Sequence, residues 1–231
     1  MPTSFSNLKQ ETGIPLPEWA PCPLPKKTNL QGHYCRLEPL TAEQHSANLW
    51  RAFNTDTERR IWTYLPYGPF HDQSQLEAWI DSACLGNDPL FYAIVDQKSG
   101  QALGVASYLR IQPEVGVIEV GHINYSPALQ QTTAATEAMY LMMKNAFELG
   151  YRRYEWKCDN LNLGSKAAAK RLGFSYDGLF KQATIYKGRN RDTAWFSILD
   201  SAWPNLKTSY EKWLAIDNFN SAGHQHYGLH K

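Results

Sequence analysis

Three short stretches hold residue types and spacings that could do chemistry: IEVGHIN around Glu119, LQQTTAATEAM from Leu129 to Met139, and NLGSKAAAKRLGF from Asn162. Glu119 stands in an otherwise apolar run, an odd place for a carboxylate without a task. It could accept a proton, directly or through one water. It could equally sit on a strand's wet face or pair with an arginine. His122 is a secondary candidate, with a packed or hydrogen-bonded histidine as its other reading.

LQQTTAATEAM lies where a strand-like pattern turns helical, so unpaired amides of a first helical turn would point outward together. With the helix dipole they favour an anion such as a pyrophosphate, although the stretch contains no glycine. An ordinary capped helix has the same pattern. In the third stretch Asn162 suits turn chemistry, and Ser165 could act as a plain N-cap. Trp62, Tyr64 and Tyr67, with Trp50 nearby, form an aromatic cluster that could shape an acceptor pocket for an ammonium, or be core under a loop. The histidines of HQHYGLH suggest a metal site only weakly, and no metal is assigned.

These stretches need elements to position them. HYCRLEPL reads as a strand, followed by helices over about 41–53 and 72–84 that flank the aromatic, proline-containing loop from Arg60 to Phe70. LFYAIVDQ and ALGVASYLRI read as a hairpin, VGVIEVGHINYS as a further strand, and 133–149 as a helix ended by Gly150. YRRYEWKCD as strand and LGSKAAAKRL as helix follow, then strands at about 174–181 and 193–199, and a helical tail from Trp203. This order predicts an α/β (α+β) fold, one domain over 31–200 with a mixed, mostly antiparallel sheet. Residues 1–30 read as a proline-rich arm that packs on the domain through Leu16, Trp19 and Leu24, or as a disordered leader. Residues 201–231 read as a C-terminal helix and tail that cover the domain or a second copy of the chain.

The 231 residues carry 23 Lys+Arg against 22 Asp+Glu, with no block of like charge, which argues against nucleic-acid or membrane partners recruited by charge. The four cysteines are scattered, and the chain shows neither a signal-like start nor an apolar run long enough for a membrane span. A soluble protein of the reducing cytoplasm is expected.

In order and spacing, IEVGHIN, QQTTAATEA and NLGSKAAAKRLGF resemble the GNAT superfamily of N-acetyltransferases, and within it the type that includes the RimJ and RimL ribosomal-protein acetyltransferases. The likeness covers about Gly32 to Leu199, with a fainter continuation into SAWPNLKTSYEKWL. It implies a sheet splayed between the strands carrying Glu119 and Trp156, with the pantetheine arm of acetyl-CoA in the gap. Ile123, Tyr125, Gln130, Gln131, Thr132, Thr133, Ala134, Ala135, Asn162 and Ser165 would bind this cosubstrate. The pyrophosphate would sit on the amides of 131–135, with the hydroxyls of Thr132 and Thr133 assisting.

Two departures stand out. Thr133 replaces the central glycine of QxxGxA, which costs little in a helical backbone and is strained at positive φ. Ala169 replaces the tyrosine that many GNAT enzymes use as an acid, which leaves Ser165 as an orienting donor or acid. The implied reaction is direct attack by an amine in a ternary complex, with Glu119 as base. An α-amino group with a pKa of about 8 needs less help than a lysine near 10.4. A small amine and a protein N-terminus both fit as acceptor. A bulkier acyl-CoA, or a module that binds acyl-CoA without turnover, are the other readings.

Overall fold

The computed structural model describes residues 3–5, 9–220 and 223–229. Eight strands form one sheet: β3 (Leu30–Gln31), β4 (Cys35–Pro39), β5 (Leu90–Asp96), β6 (Ala102–Gln112), β7 (Val117–Tyr125), β8 (Arg153–Asp159), β9 (Ser175–Tyr186) and β10 (Arg189–Leu199). Their spatial order is β3-β4-β5-β6-β7-β8-β10-β9, and every pairing is antiparallel except β7 with β8. The expected mixed, mostly antiparallel α/β architecture is the observed one.

Helix α1 (Ala42–Phe53) begins at Thr41, whose hydroxyl accepts from the Gln44 amide, and α2 (Gln73–Ala83) begins at Asp72, whose carboxylate accepts from the Gln75 amide. Both pack on one face of the sheet, where Leu49, Phe53, Leu76 and Ile80 bury against Phe91, Val95 and Val105. The opposite face is covered by α3 (Thr133–Glu148), α4 (Leu163–Arg171) and α5 (Trp203–Leu214). Helix α3 is buried along almost its whole length, with Ala138, Met142, Met143 and Ala146 fully enclosed. Each such Met contributes on the order of 1.5–3 kcal/mol by burial. Small alanines between them let the helix approach the strands closely. Gly150, at φ +92°, ends the helix as expected.

Sequence and structure differ in four places. Strands β9 and β10 run past their expected ends because Lys187 and Gly188, at φ 48° and 69°, form a tight two-residue hairpin turn. Residues Pro113–Val115 form a 3-10 turn, so β7 starts only at Val117. In the arm, β1 (Thr3–Phe5) pairs with β2 (Glu11–Gly13), and the arm's last residue, Leu30, already belongs to the edge strand β3. Arm residues 1, 2 and 6–8 lie outside the described residues.

Leu16 and Leu24 are exposed, whereas Trp19 is held by its indole N–H donating to the Glu114 carbonyl and by Arg152 over its ring. Helix α5 covers its own chain: Tyr140 and Phe147 of α3 stack on Trp203, and Tyr210 Oη donates to the Leu172 carbonyl. No helix among the described residues is long and apolar enough to cross a membrane.

Candidate functional site

The site forms where two neighbouring strands stop pairing. Strands β7 and β8 share register only from Val117↔Arg153 to Val120↔Trp156. Beyond that point β7 carries one extra residue against β6, between the pairs Ser107↔Gly121 and Val105↔Asn124, and His122 within it lies at φ +50°. Such a bulge bends its strand. Strand β8 stays with β10 as far as Asp159↔Thr193, so the two central strands part and a cavity of about 1530 Å³ opens between them.

At one end the cavity meets the start of α3. Thr132 is the N-cap in an extended conformation; its hydroxyl accepts from the Ala135 amide at 3.1 Å and donates to the Leu129 carbonyl at 2.7 Å. Its own amide donates to Leu129 as well. Thr132 and the Ala135 amide are therefore engaged within the protein, a correction to the expectation that both would serve an anion. The amides of Gln131, Thr133 and Ala134 have no acceptor among the described residues. Thr133 is the first helical residue, and positive φ falls on Gln131 instead, at 60°. A threonine in place of the family's glycine is thus unstrained. Gln130 is fixed by its side-chain amide donating to the Tyr125 carbonyl at 2.9 Å. Ile123, Tyr125, Gln130, Gln131, Thr132, Thr133 and Ala135 line the cavity, whereas the Ala134 side chain turns into the core.

The middle of the cavity is bounded by α4. Asn162 is its N-cap and accepts from the Ser165 amide at 3.0 Å, so the capping role belongs to Asn162 and not to Ser165. Ser165 Oγ accepts from Trp156 Nε1 at 2.9 Å. Ala169, at the position of the absent tyrosine, is fully buried. Opposite, Asn124 is buried, and neither atom of its side-chain amide has a partner.

The other end is built from charged side chains. Glu119, buried with only 2% of its side chain exposed, accepts from Arg110 Nε at 2.7 Å and Nη2 at 2.9 Å, and from Lys157 Nζ at 2.8 Å. Lys157 is shared with Glu155 at 2.8 Å. The pairing with an arginine that the sequence left open is the observed arrangement. His122 packs between Tyr67 and Phe91, and burial together with the Arg110 charge pulls it down to about 4, so the ring is neutral at pH 7.

Of the four aromatic candidates only Tyr64 lines the cavity. Trp62 is buried against Phe53 and Phe70, and Trp50 and Tyr67 pack on the same core, so the loop's aromatic residues chiefly build its footing. Sequence reasoning missed the far wall, where Asp159, Tyr186, Arg191, Thr193 and Trp195 face the cavity. The alternation in RNRDTAW was its one available signal. His224 of the tail also lines the cavity; His230 lies outside the described residues.

Residues 35–175 match the family described as Acetyltransferase (GNAT) domain. Among solved structures, the chain is similar to a GCN5-related N-acetyltransferase from Brucella melitensis at 46% identity and a TM-score of 0.90, covering 93% of this chain and 97% of that one. A protein from Chromobacterium violaceum, described as an acetyltransferase of the GNAT family, is 42% identical at a TM-score of 0.78, over 84% of this chain and 96% of that one. RimL, a ribosomal L7/L12 alpha-N-protein acetyltransferase, shares the fold at 18% identity and a TM-score of 0.61, over 74% and 94%. No protein of curated function matches.

Proposed function

Since the chain belongs to the GNAT family of acetyltransferases, we propose that it moves an acetyl group from acetyl-CoA to a primary amine by direct attack in a ternary complex. One observation carries this reading: a single cavity runs from three amides without acceptors at the start of α3, through the gap between β7 and β8, to a wall of paired charges.

The residues present fit the cosubstrate. The amides of Gln131, Thr133 and Ala134 suit a pyrophosphate, and the Thr133 hydroxyl adds a further donor. The Asn124 side-chain amide, buried without a partner, suits an amide of the pantetheine arm, because a buried polar group without a partner is costly. Acetyl-CoA supplies the activated acyl group. Ser165, whose oxygen already accepts from Trp156, keeps its proton for the departing sulfur.

Glu119 is the proposed proton acceptor, through one water. Both of its oxygens accept charge-assisted bonds, so it takes a proton only by giving one up. That favours an amine which sheds its proton readily, such as an α-amino group near 8, over a lysine near 10.4. The RimJ/RimL likeness points to α-amines as well, and the four free thiols fit the reducing cytoplasm in which we place the enzyme.

The test is a thermal shift with acetyl-CoA, then thiol release against a panel of amines and N-terminal peptides. Stabilisation and thiol release are expected. No stabilisation overturns the acetyl-CoA site; stabilisation without thiol release from any amine makes the protein a binding module.

A further inference from the structure

Strand β10 turns the alternate residues Arg191, Thr193 and Trp195 toward the cavity. Arg191 Nε is buried without a hydrogen-bond partner, and so is Trp195 Nε1. Unsatisfied buried donors gain when a ligand brings an acceptor to them. The Arg191 guanidinium lies 5.7 Å over the Tyr186 ring and has no carboxylate partner among the described residues.

The two carboxylates that line the cavity are differently placed. Glu119 is held by Arg110 and Lys157, and Asp159 accepts from Tyr186 Oη and from the Leu161 amide, each at 2.8 Å. A second ammonium on the acceptor would meet no open acid there. An anion would meet an open guanidinium.

The geometry also limits size. Tyr64 Oη donates to the Leu161 carbonyl at 3.1 Å and Lys187 Nζ to the Trp62 carbonyl at 2.8 Å, so the loop over the cavity is tied to its far wall. A roof fastened at two points admits a small molecule more readily than the end of a folded protein.

We infer that the acceptor is a small amine carrying its own anionic group, a carboxylate or a phosphoryl group, and that Arg191 binds that group. This rests on the acetyl-transfer reading above. A guanidinium presents a planar fork of donors that matches either anion.

The test measures kcat/KM for matched acceptors at saturating acetyl-CoA: amino acids against their amides, aminoalkyl phosphates against aminoalkyl alcohols, and peptides with neutral side chains. The anionic member of at least one pair is expected to lead by about tenfold or more. Which pair does so tells carboxylate from phosphoryl. Arg191→Gln should cut that ratio about tenfold, and Arg191→Lys, which keeps the charge without the fork, should cut it less. If neither variant folds, the wild type still decides, because the N-acetylated anionic product should compete with the amine more strongly than its neutral counterpart. Equal values within every pair, or a preference for neutral peptides, overturn the inference and leave acetyl transfer standing. No thiol release from any amine overturns both.

Discussion

Two buried carboxylates divide the molecule between them. Glu137, in α3, accepts from the backbone amides of His33, Tyr34 and Cys35 at 2.8, 2.6 and 2.7 Å, and fastens the turn between β3 and β4 to the helix. Gly32 is required beside it, since a Cβ there would fall 2.4 Å from a Glu137 oxygen. Glu119, on the sheet face away from α3, accepts instead from the side chains of Arg110 and Lys157. Backbone donors cannot move away, whereas side-chain cations can exchange partners. The same contrast separates the two ends of the cavity: the start of α3 offers fixed amides, and the far wall offers adjustable side chains. A fixed set suits the unvarying pyrophosphate of a cosubstrate, and an adjustable set suits proton transfer and acceptor choice.

The largest effect tests the fixed side. Glu137→Ala leaves three amides without an acceptor, that of Cys35 buried and those of His33 and Tyr34 partly so, which should cost about 2–4 kcal/mol of stability. Denaturant unfolding measures it. A loss under about 1 kcal/mol would mean that water replaces the carboxylate and that the turn is not fastened there.

Glu119→Gln should behave in the opposite way. Lys157 keeps Glu155, Arg110 is more than half exposed and the new amide oxygen can still accept, so stability should fall by about 1–2 kcal/mol, less than in Glu137→Ala. Turnover should fall about a hundredfold, with an altered pH profile. An unchanged rate across pH would remove Glu119 from proton transfer and leave it as a second structural carboxylate.

The two sides were not equally legible in the sequence. Helices α1, α2 and α3 came within a residue or two of their bounds, because Thr41, Asp72 and Thr132 are local caps and apolar spacing is a local signal. The fixed end of the cavity could be read for the same reason: its donors are successive residues of one loop. Which amides stay free could not be read, because it depends on how Thr132 spends its hydroxyl. The adjustable end brings Arg110 of β6, Glu119 of β7 and Lys157 of β8 together across three strands. Only the register of the sheet shows that Glu119 has these partners. Likewise the cluster of Trp50, Trp62 and Tyr67 carried no sign of whether it faced a cavity or the core beneath.

Thr133→Pro sharpens the contrast on the fixed side. Proline is tolerated at the first helical position, and the extended Thr132, at φ −96° and ψ 165°, suits the residue before it. The change deletes one amide N–H and the hydroxyl while the helix stays. Acetyl-CoA should bind about tenfold more weakly by calorimetry, with the helical circular dichroism unaltered. Thr133→Ala, which keeps the amide, should cost less, and the difference reports what that amide contributes. Full affinity in the proline variant would place the pyrophosphate elsewhere.

The smallest effect belongs to His122, on the adjustable side. Packed between Tyr67 and Phe91 and facing Arg110, it is pulled down to about 4 from an ordinary value of 6.5. Between those values the unfolded chain binds more protons than the folded one, so stability falls as the pH drops. The contribution is complete above 6.5 and lost once the pH has passed through 4. Because the ring borders the cavity and is partly exposed, the loss should be on the order of 1 kcal/mol, less than full burial would give. His122→Asn keeps a side chain that tolerates positive φ, so the bulge persists without the titrating group. Unfolding free energies at pH 7 and 4.5 should differ less in that variant than in the wild type. An equal difference would show that the acid sensitivity arises elsewhere, and that His122 takes up its proton without disturbing the wall it belongs to.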